Sequence, residues 1–147
     1  MNSYLEALRP KLSELDYRKI CAIVNPKVHK FIAEAAELCN PERIFVCCDS
    51  AEDFAYIRQQ AINTGEERRL RIPGHTVHFD GYYDQARDRE QTKFLVSRDT
   101  KLGSSLRTTD REAGLEEIHE LLKDIMRGHE LYVCFFSLGP TNSVFSI

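Results

Sequence analysis

A short apolar run, Arg43-Ile44-Phe45-Val46-Cys47-Cys48, lies between two stretches of helical periodicity, and this alternation restricts the possible folds most strongly. Upstream, Asn25-Pro26 reads as N-cap and first helical position: Asn accepts from the unpaired first-turn amides, and Pro has no amide to leave unpaired. The helix that follows carries Val28, Phe31, Ile32, Ala35, Ala36 and Leu38-Cys39 as its expected buried positions, and Asn40-Pro41 stops it. Downstream, Asp49-Ser50 ends the apolar run. Ser50 and Asp53 make a capping-box pattern with Asp in the usual Glu place. The next helix reaches about Asn63, with Phe54, Ile57 and Ala61 on one face and Gly65 as terminator. Helix, strand, helix is the core of an α/β unit.

The flanks extend this pattern. Ser3 is placed to cap a first helix with Tyr4, Leu5, Leu8, Leu12 and Leu15 at helical spacing, and Pro10 should kink or interrupt it. His75 to Phe79 is a candidate short strand and Thr92 to Ser97 a firmer one. Arg98 to Gly114 is polar and reads as a long loop. Leu115 to Arg127 is an amphipathic helix ended by Gly128, and Leu131 to Leu138, nearly all apolar, reads as a central strand. The expected fold class is α/β: a mixed sheet including the runs near 43–48, 92–97 and 131–138, with helices packed on it, in a single compact domain spanning 1–147. Ser143 to Ile147 starts another strand-like run, which leads us to expect a piece of a longer polypeptide.

Bulk properties narrow the function classes. A chain of 147 residues is long enough for a sizeable core. With 42% hydrophobic and 29% charged residues it is unlike a disordered chain. The formal net charge of -3 provides no wholesale basic surface, so nucleic acid is not an expected partner, although Arg68-Arg69-Leu70-Arg71 can bind an anion locally. No apolar stretch is long enough to span a bilayer and no signal-peptide pattern opens the chain, so the expected location is cytoplasmic. The five cysteines (Cys21, Cys39, Cys47, Cys48, Cys134) show no framework spacing and read as buried free thiols in a reducing compartment.

Chemical motifs are sparse. Neither G-x-x-x-x-G-K-[ST] nor G-x-G-x-x-G occurs, which disfavours an isolated phosphate-loop kinase or a dinucleotide enzyme. His75 and His78 fall on opposite faces of a strand, as do the adjacent Cys47 and Cys48, and neither spacing suits zinc. No G-x-S-x-G is present. What remains is a glycine-bounded polar loop, Gly81-Tyr82-Tyr83-Asp84-Gln85-Ala86-Arg87-Asp88-Arg89-Glu90-Gln91, that runs into the strand Thr92 to Ser97. Such a loop can hold a guanidinium at the mouth of a cleft. Arg87 suits that task because its planar fork matches a carboxylate or phosphate bidentately and stays charged. Local ion pairs with Asp84, Asp88 and Glu90 are the plainer reading of the same residues.

Three segments together resemble the amino-terminal domain of phosphoenolpyruvate carboxykinases, closest to GTP-dependent members of the divergent prokaryotic type. They are Leu38 to Glu52; Ala86-Arg87 with Glu90, Thr92 and Lys93; and Tyr132 to Ser143, which is similar to the family's strand ending in Phe-Ser-Met-Gly-Pro, with Leu138 in place of its methionine. Residues 1–37 carry no matching motif. The resemblance implies an enzyme that converts oxaloacetate and GTP to phosphoenolpyruvate, GDP and carbon dioxide with a divalent metal (manganese or magnesium). It implies that Arg87 grips the substrate's carboxylate or phosphate, and that Glu90 orients Arg87 or meets a mobile lid. The family's phosphate loop, its manganese-binding lysine, histidine and aspartate, and its lid are not in these residues. The chain alone is therefore expected to be inactive, with no catalytic, metal or cofactor residue of its own and a carboxyl-terminal catalytic domain as its partner. The alternative is a stand-alone, non-catalytic α/β module that binds a small anion or a protein.

Overall fold

A computed structural model describes residues 3–81, 92–140 and 143–144. The architecture is mixed α/β, as the alternation of periodicities predicts. The chain divides into two compact units: one made of 1–55 and 123–147, the other of 56–122.

In the first unit, α1 (Ser3–Leu8) gives way to a 3-10 turn (Arg9–Lys11) containing Pro10, and α2 (Glu14–Ala22) starts afresh behind the Ser13 cap. Pro10 thus interrupts the apolar stripe where expected. The helix α3 (Pro26–Cys39) begins at Asn25, whose side chain accepts from the Lys27 and Val28 amides at 3.0 and 3.4 Å. It ends at Asn40, which adopts the left-handed conformation (φ 52°). Strand β1 (Arg43–Val46) follows, then α4 (Ala51–Asn63), whose Asp53 amide donates to Ser50 Oγ at 3.1 Å.

The core of this unit is Leu8, Leu12, Ile20, Ile32, Ala36, Ile44, Val46 and Val133. Each such side chain contributes on the order of 2 kcal/mol by leaving water. The last element, called β6 below, is Glu130–Val133. It pairs in parallel with β1, with Ile44 opposite Leu131 and Val46 opposite Val133. Sequence periodicity overstates this region in two ways. The apolar run Leu131 to Leu138 is ladder-paired only through Val133, and Phe136 and Leu138 are 92% and 98% exposed. Phe31, on the apolar face of α3, is also exposed, because His29 takes an interior place beside Ile32 and Ala36. Its Nε2 lies 3.1 Å from the Ile20 carbonyl.

The second unit takes the rest of α4, which Gly65 follows in the left-handed region (φ +83°) as the sequence predicts. Short strands β2 (Arg68–Arg69) and β3 (Thr76–Val77) pair antiparallel, and β4 (Phe94–Val96) pairs in parallel with β5 (Thr108–Asp110). Helix α5 (Arg111–Leu122) follows β5 directly. The expected long loop from Arg98 to Gly114 therefore contains a strand and the first turn of a helix. Asp110 explains the early start: its carboxylate accepts from the Glu112 and Ala113 amides at 3.1 and 3.2 Å. The helix also stops early, at Leu122. Beyond it the chain turns onto the end of α3, where the Asp124 and Met126 amides donate to the Leu38 and Cys39 carbonyls. Among the described residues, the single mixed sheet expected from the sequence is thus resolved into three two-stranded sheets: the runs near 43–48 and 131–138 pair with each other, and the run near 92–97 pairs within the second unit.

Candidate functional site

Arg87 and Glu90 lie outside the described residues. What the structure does describe is the pair of stems from which their loop departs, both in the second unit. The incoming stem leaves β3 through His78, Phe79, Asp80 and Gly81. The His78 ring is held at both nitrogens: Nδ1 is 2.6 Å from the Glu66 carbonyl oxygen and Nε2 is 3.0 Å from Asp80 Oδ1. A carbonyl only accepts, so Nδ1 must donate. A carboxylate also only accepts, so the imidazolium alone satisfies both contacts. The Glu66 carbonyl, followed by the Asp80 carboxylate, accordingly raises the His78 pKa above its ordinary value. This cation borders an open polar recess of about 480 Å³ that also includes Arg68, Glu66 and Gly81, the residue from which the loop leaves.

The outgoing stem, Thr92-Lys93, enters β4. Its position is set by α5, which lies so close that a Cβ added to Gly114 would stand 2.3 Å from Leu95 Cδ2 and 3.1 Å from Thr109 Cγ2. Glycine at this place lets the helix backbone approach the β4–β5 pair.

The first unit contains a second group of charges, at the carboxyl end of β1. Lys19 Nζ donates to Asp53 Oδ2 at 2.6 Å and to the Val46 carbonyl at 2.9 Å, with Asp16 Oδ1 at 3.9 Å and the Phe45 ring centroid at 5.0 Å. Asp16 Oδ1 accepts from the Val46 amide at 3.0 Å, and Asp53 Oδ2 accepts from the Cys48 amide at 2.8 Å. Burial raises the Asp53 carboxyl pKa, but the bond from Lys19, helped by the Cys48 amide, outweighs it and holds the group at about 2. A carboxylate this acidic and this fully bonded is a poor proton acceptor near neutrality. The cluster fixes α2, the end of β1 and the start of α4 together, which is a structural task. Sequence reasoning assigned Asp53 only half of this. Its amide donates the cap bond to Ser50 Oγ, but its carboxylate turns to Lys19, a partner 34 residues away that no local pattern discloses.

No three His, Cys, Asp or Glu side chains converge as metal ligands among the described residues. His75 and His78 do not form a ligand pair, and the cysteines stay unpaired. They are less buried than expected: Cys21 and Cys48 are exposed and Cys39, Cys47 and Cys134 half-buried, since Cys47, Cys48 and Cys134 fall just past the strand ends. No described helix is long and apolar enough to cross a membrane.

Comparison with known proteins agrees with the likeness read from the three segments. Residues 30–147 match the family model for the phosphoenolpyruvate carboxykinase N-terminal domain. The chain is 54% identical over 143 residues to "Phosphoenolpyruvate carboxykinase [GTP]" of Pyrococcus horikoshii, covering 97% of this chain and 23% of that protein. It is 53% identical over 140 residues to the protein of the same name from Thermococcus sibiricus (95% and 22%), and 32% identical over 130 residues to that of Chlamydia abortus (86% and 21%). The chain thus spans under a quarter of the length of these relatives. The family match takes in Arg87, both stems of its loop and the β1–β6 pair, and the chain belongs to the phosphoenolpyruvate carboxykinase amino-terminal domain family.

Proposed function

We propose that this chain acts as the amino-terminal, substrate-clamping part of a GTP-dependent phosphoenolpyruvate carboxykinase, working with a carboxyl-terminal catalytic part in the cytoplasm. The reaction converts oxaloacetate and GTP to phosphoenolpyruvate, GDP and carbon dioxide. The family match over 30–147 carries this reading, because it includes the Arg87 loop.

Oxaloacetate has two carboxylates, of which one leaves as carbon dioxide and one remains beside the oxygen that receives the phosphoryl group. Arg87 holds the remaining carboxylate, or the phosphate of the product, through paired N–H donors. Fixing that group orients the enolate oxygen toward the phosphoryl donor, and orientation supplies much of the catalysis in such transfers. Glu90 orients the guanidinium. The divalent metal, which the relatives' part beyond this chain would hold, supplies charge neutralisation for the phosphoryl transfer. The residues here bind and position substrate, and the chain by itself is inactive.

The test is Arg87→Ala in a full-length carboxykinase containing this segment. A bidentate contact to a charged group is worth about 3 kcal/mol, so kcat/KM should fall about 100-fold. Near wild-type kcat/KM in that variant would remove the proposed role.

A further inference from the structure

We infer that Cys47 and Cys134 are a redox-responsive dithiol, which a small disulfide converts to an intramolecular cross-link between the ends of β1 and β6. The parallel ladder pairs Val46 with Val133, and the Cys47 amide donates to the Val133 carbonyl at 2.9 Å, which carries the pairing one residue further. Cys47 and Cys134 are therefore neighbours across the pair. Register partners in a sheet project to the same face, with backbones about 4.8 Å apart, inside the span a disulfide bridges. The Cys47 Sγ donates to the Cys48 carbonyl at 3.3 Å, and burial, then the neighbouring Cys134 thiol, raises the Cys47 pKa. Cys47 and Cys134 are both half-buried, so a small oxidant can reach them. Cys48, the adjacent competitor, lies past the end of β1, with its amide held by Asp53 Oδ2 at 2.8 Å.

The chemistry needs a co-reactant, which we take to be a low-molecular-weight disulfide such as oxidised glutathione. One thiol of the pair loses its proton, and the thiolate attacks a sulfur of the small disulfide. That S–S bond breaks and releases one small thiol. The second protein thiolate then attacks the mixed disulfide, releasing the other small thiol and closing the Cys47–Cys134 bond. Two protein thiols are oxidised and one disulfide is reduced to two thiols. The closed form ties together the points where β1 turns toward α4 and where the chain leaves β6. It closes a long loop, so unfolding becomes less favourable. This inference does not depend on the carboxykinase reading.

The 147-residue chain is incubated in mixtures of reduced and oxidised glutathione, quenched in acid, alkylated and mapped by mass spectrometry. The expected result is loss of two of the five free thiols, a peptide linking Cys47 to Cys134, and a higher melting temperature than the reduced form. Cys47→Ser or Cys134→Ser abolishes the link, whereas Cys21→Ser leaves it intact. A map in which Cys47 and Cys134 stay alkylated, carry only glutathione, or are joined to other cysteines would overturn the proposal. The wild-type map decides the matter even if a variant fails to fold.

Discussion

The two units of the chain are stabilised in different ways. All the buried apolar side chains among the described residues lie in the first unit, together with buried Asp16, His29 and Asp53. In the second unit the one fully buried described residue is Gly114, and its strands are two or three residues long. Residues 82–91, which include Arg87, fall within the span of this second unit. A region with few buried contacts opens at lower free energy than a packed core, and binding loops are commonly found in such regions. The lesson is a division of labour: the first unit holds the packed core, and on the proposed reading the second, lightly packed among its described residues, carries the substrate-binding Arg87.

The largest effect expected from breaking this comparison is in the first unit. Asp53→Ala leaves Lys19 without its closest partner and should cost about 3 kcal/mol in denaturant unfolding. The same pair predicts acid sensitivity. The folded Asp53 carboxyl sits at about 2, below its ordinary 3.8, so its stabilisation is fully present above about pH 4. It fades as pH falls toward 2. Between those values wild type should lose more stability than Asp53→Asn, and parallel acid profiles would show that the pair contributes nothing to folding.

A smaller effect is expected in the second unit. Asp110→Ala removes the acceptor for two first-turn amides of α5 and should lower the melting temperature by a few degrees. A loss as large as that of Asp53→Ala would erase the contrast. Smallest of all is the titration of His78. Its pKa, followed by NMR, should lie above the ordinary 6.5, and Asp80→Asn should bring it down. This contact contributes below the ordinary value and is lost as pH rises through the raised one. An unchanged value in the variant would mean that Asp80 does not hold the ring.

The legible parts of the fold were those whose signals are local. Asn25-Pro26, Asn40, Ser50 and Gly65 each mark a helix end, and each does so because a nearby amide or a positive φ requires that residue type. The strand at Arg43–Val46 stood out because capped helices bracket it. Thr108–Asp110 was missed because three residues are too few to show alternation, and the helix start at Asp110 was hidden in the same polar stretch. The run to Leu138 was overread, since apolar composition does not tell where pairing ends. The Lys19–Asp53 bond joins residues with no local relation, so only the folded chain reveals it. For the candidate site, residue types single out Arg87 as an expectation that lies outside the described residues, and they give no sign of the His78 contacts. Those contacts depend on the Glu66 carbonyl, which carries no side-chain signature.

Hydrogen exchange on a full-length carboxykinase containing this segment, with and without phosphoenolpyruvate, tests the division of labour most directly. The ligand should add protection to peptides spanning 81–93 and leave those covering β1 and β6 unchanged, and Arg87→Ala should abolish the gain. Equal exchange at 81–93 with and without ligand, or protection confined to the first unit, would contradict the assignment of this loop as the substrate clamp.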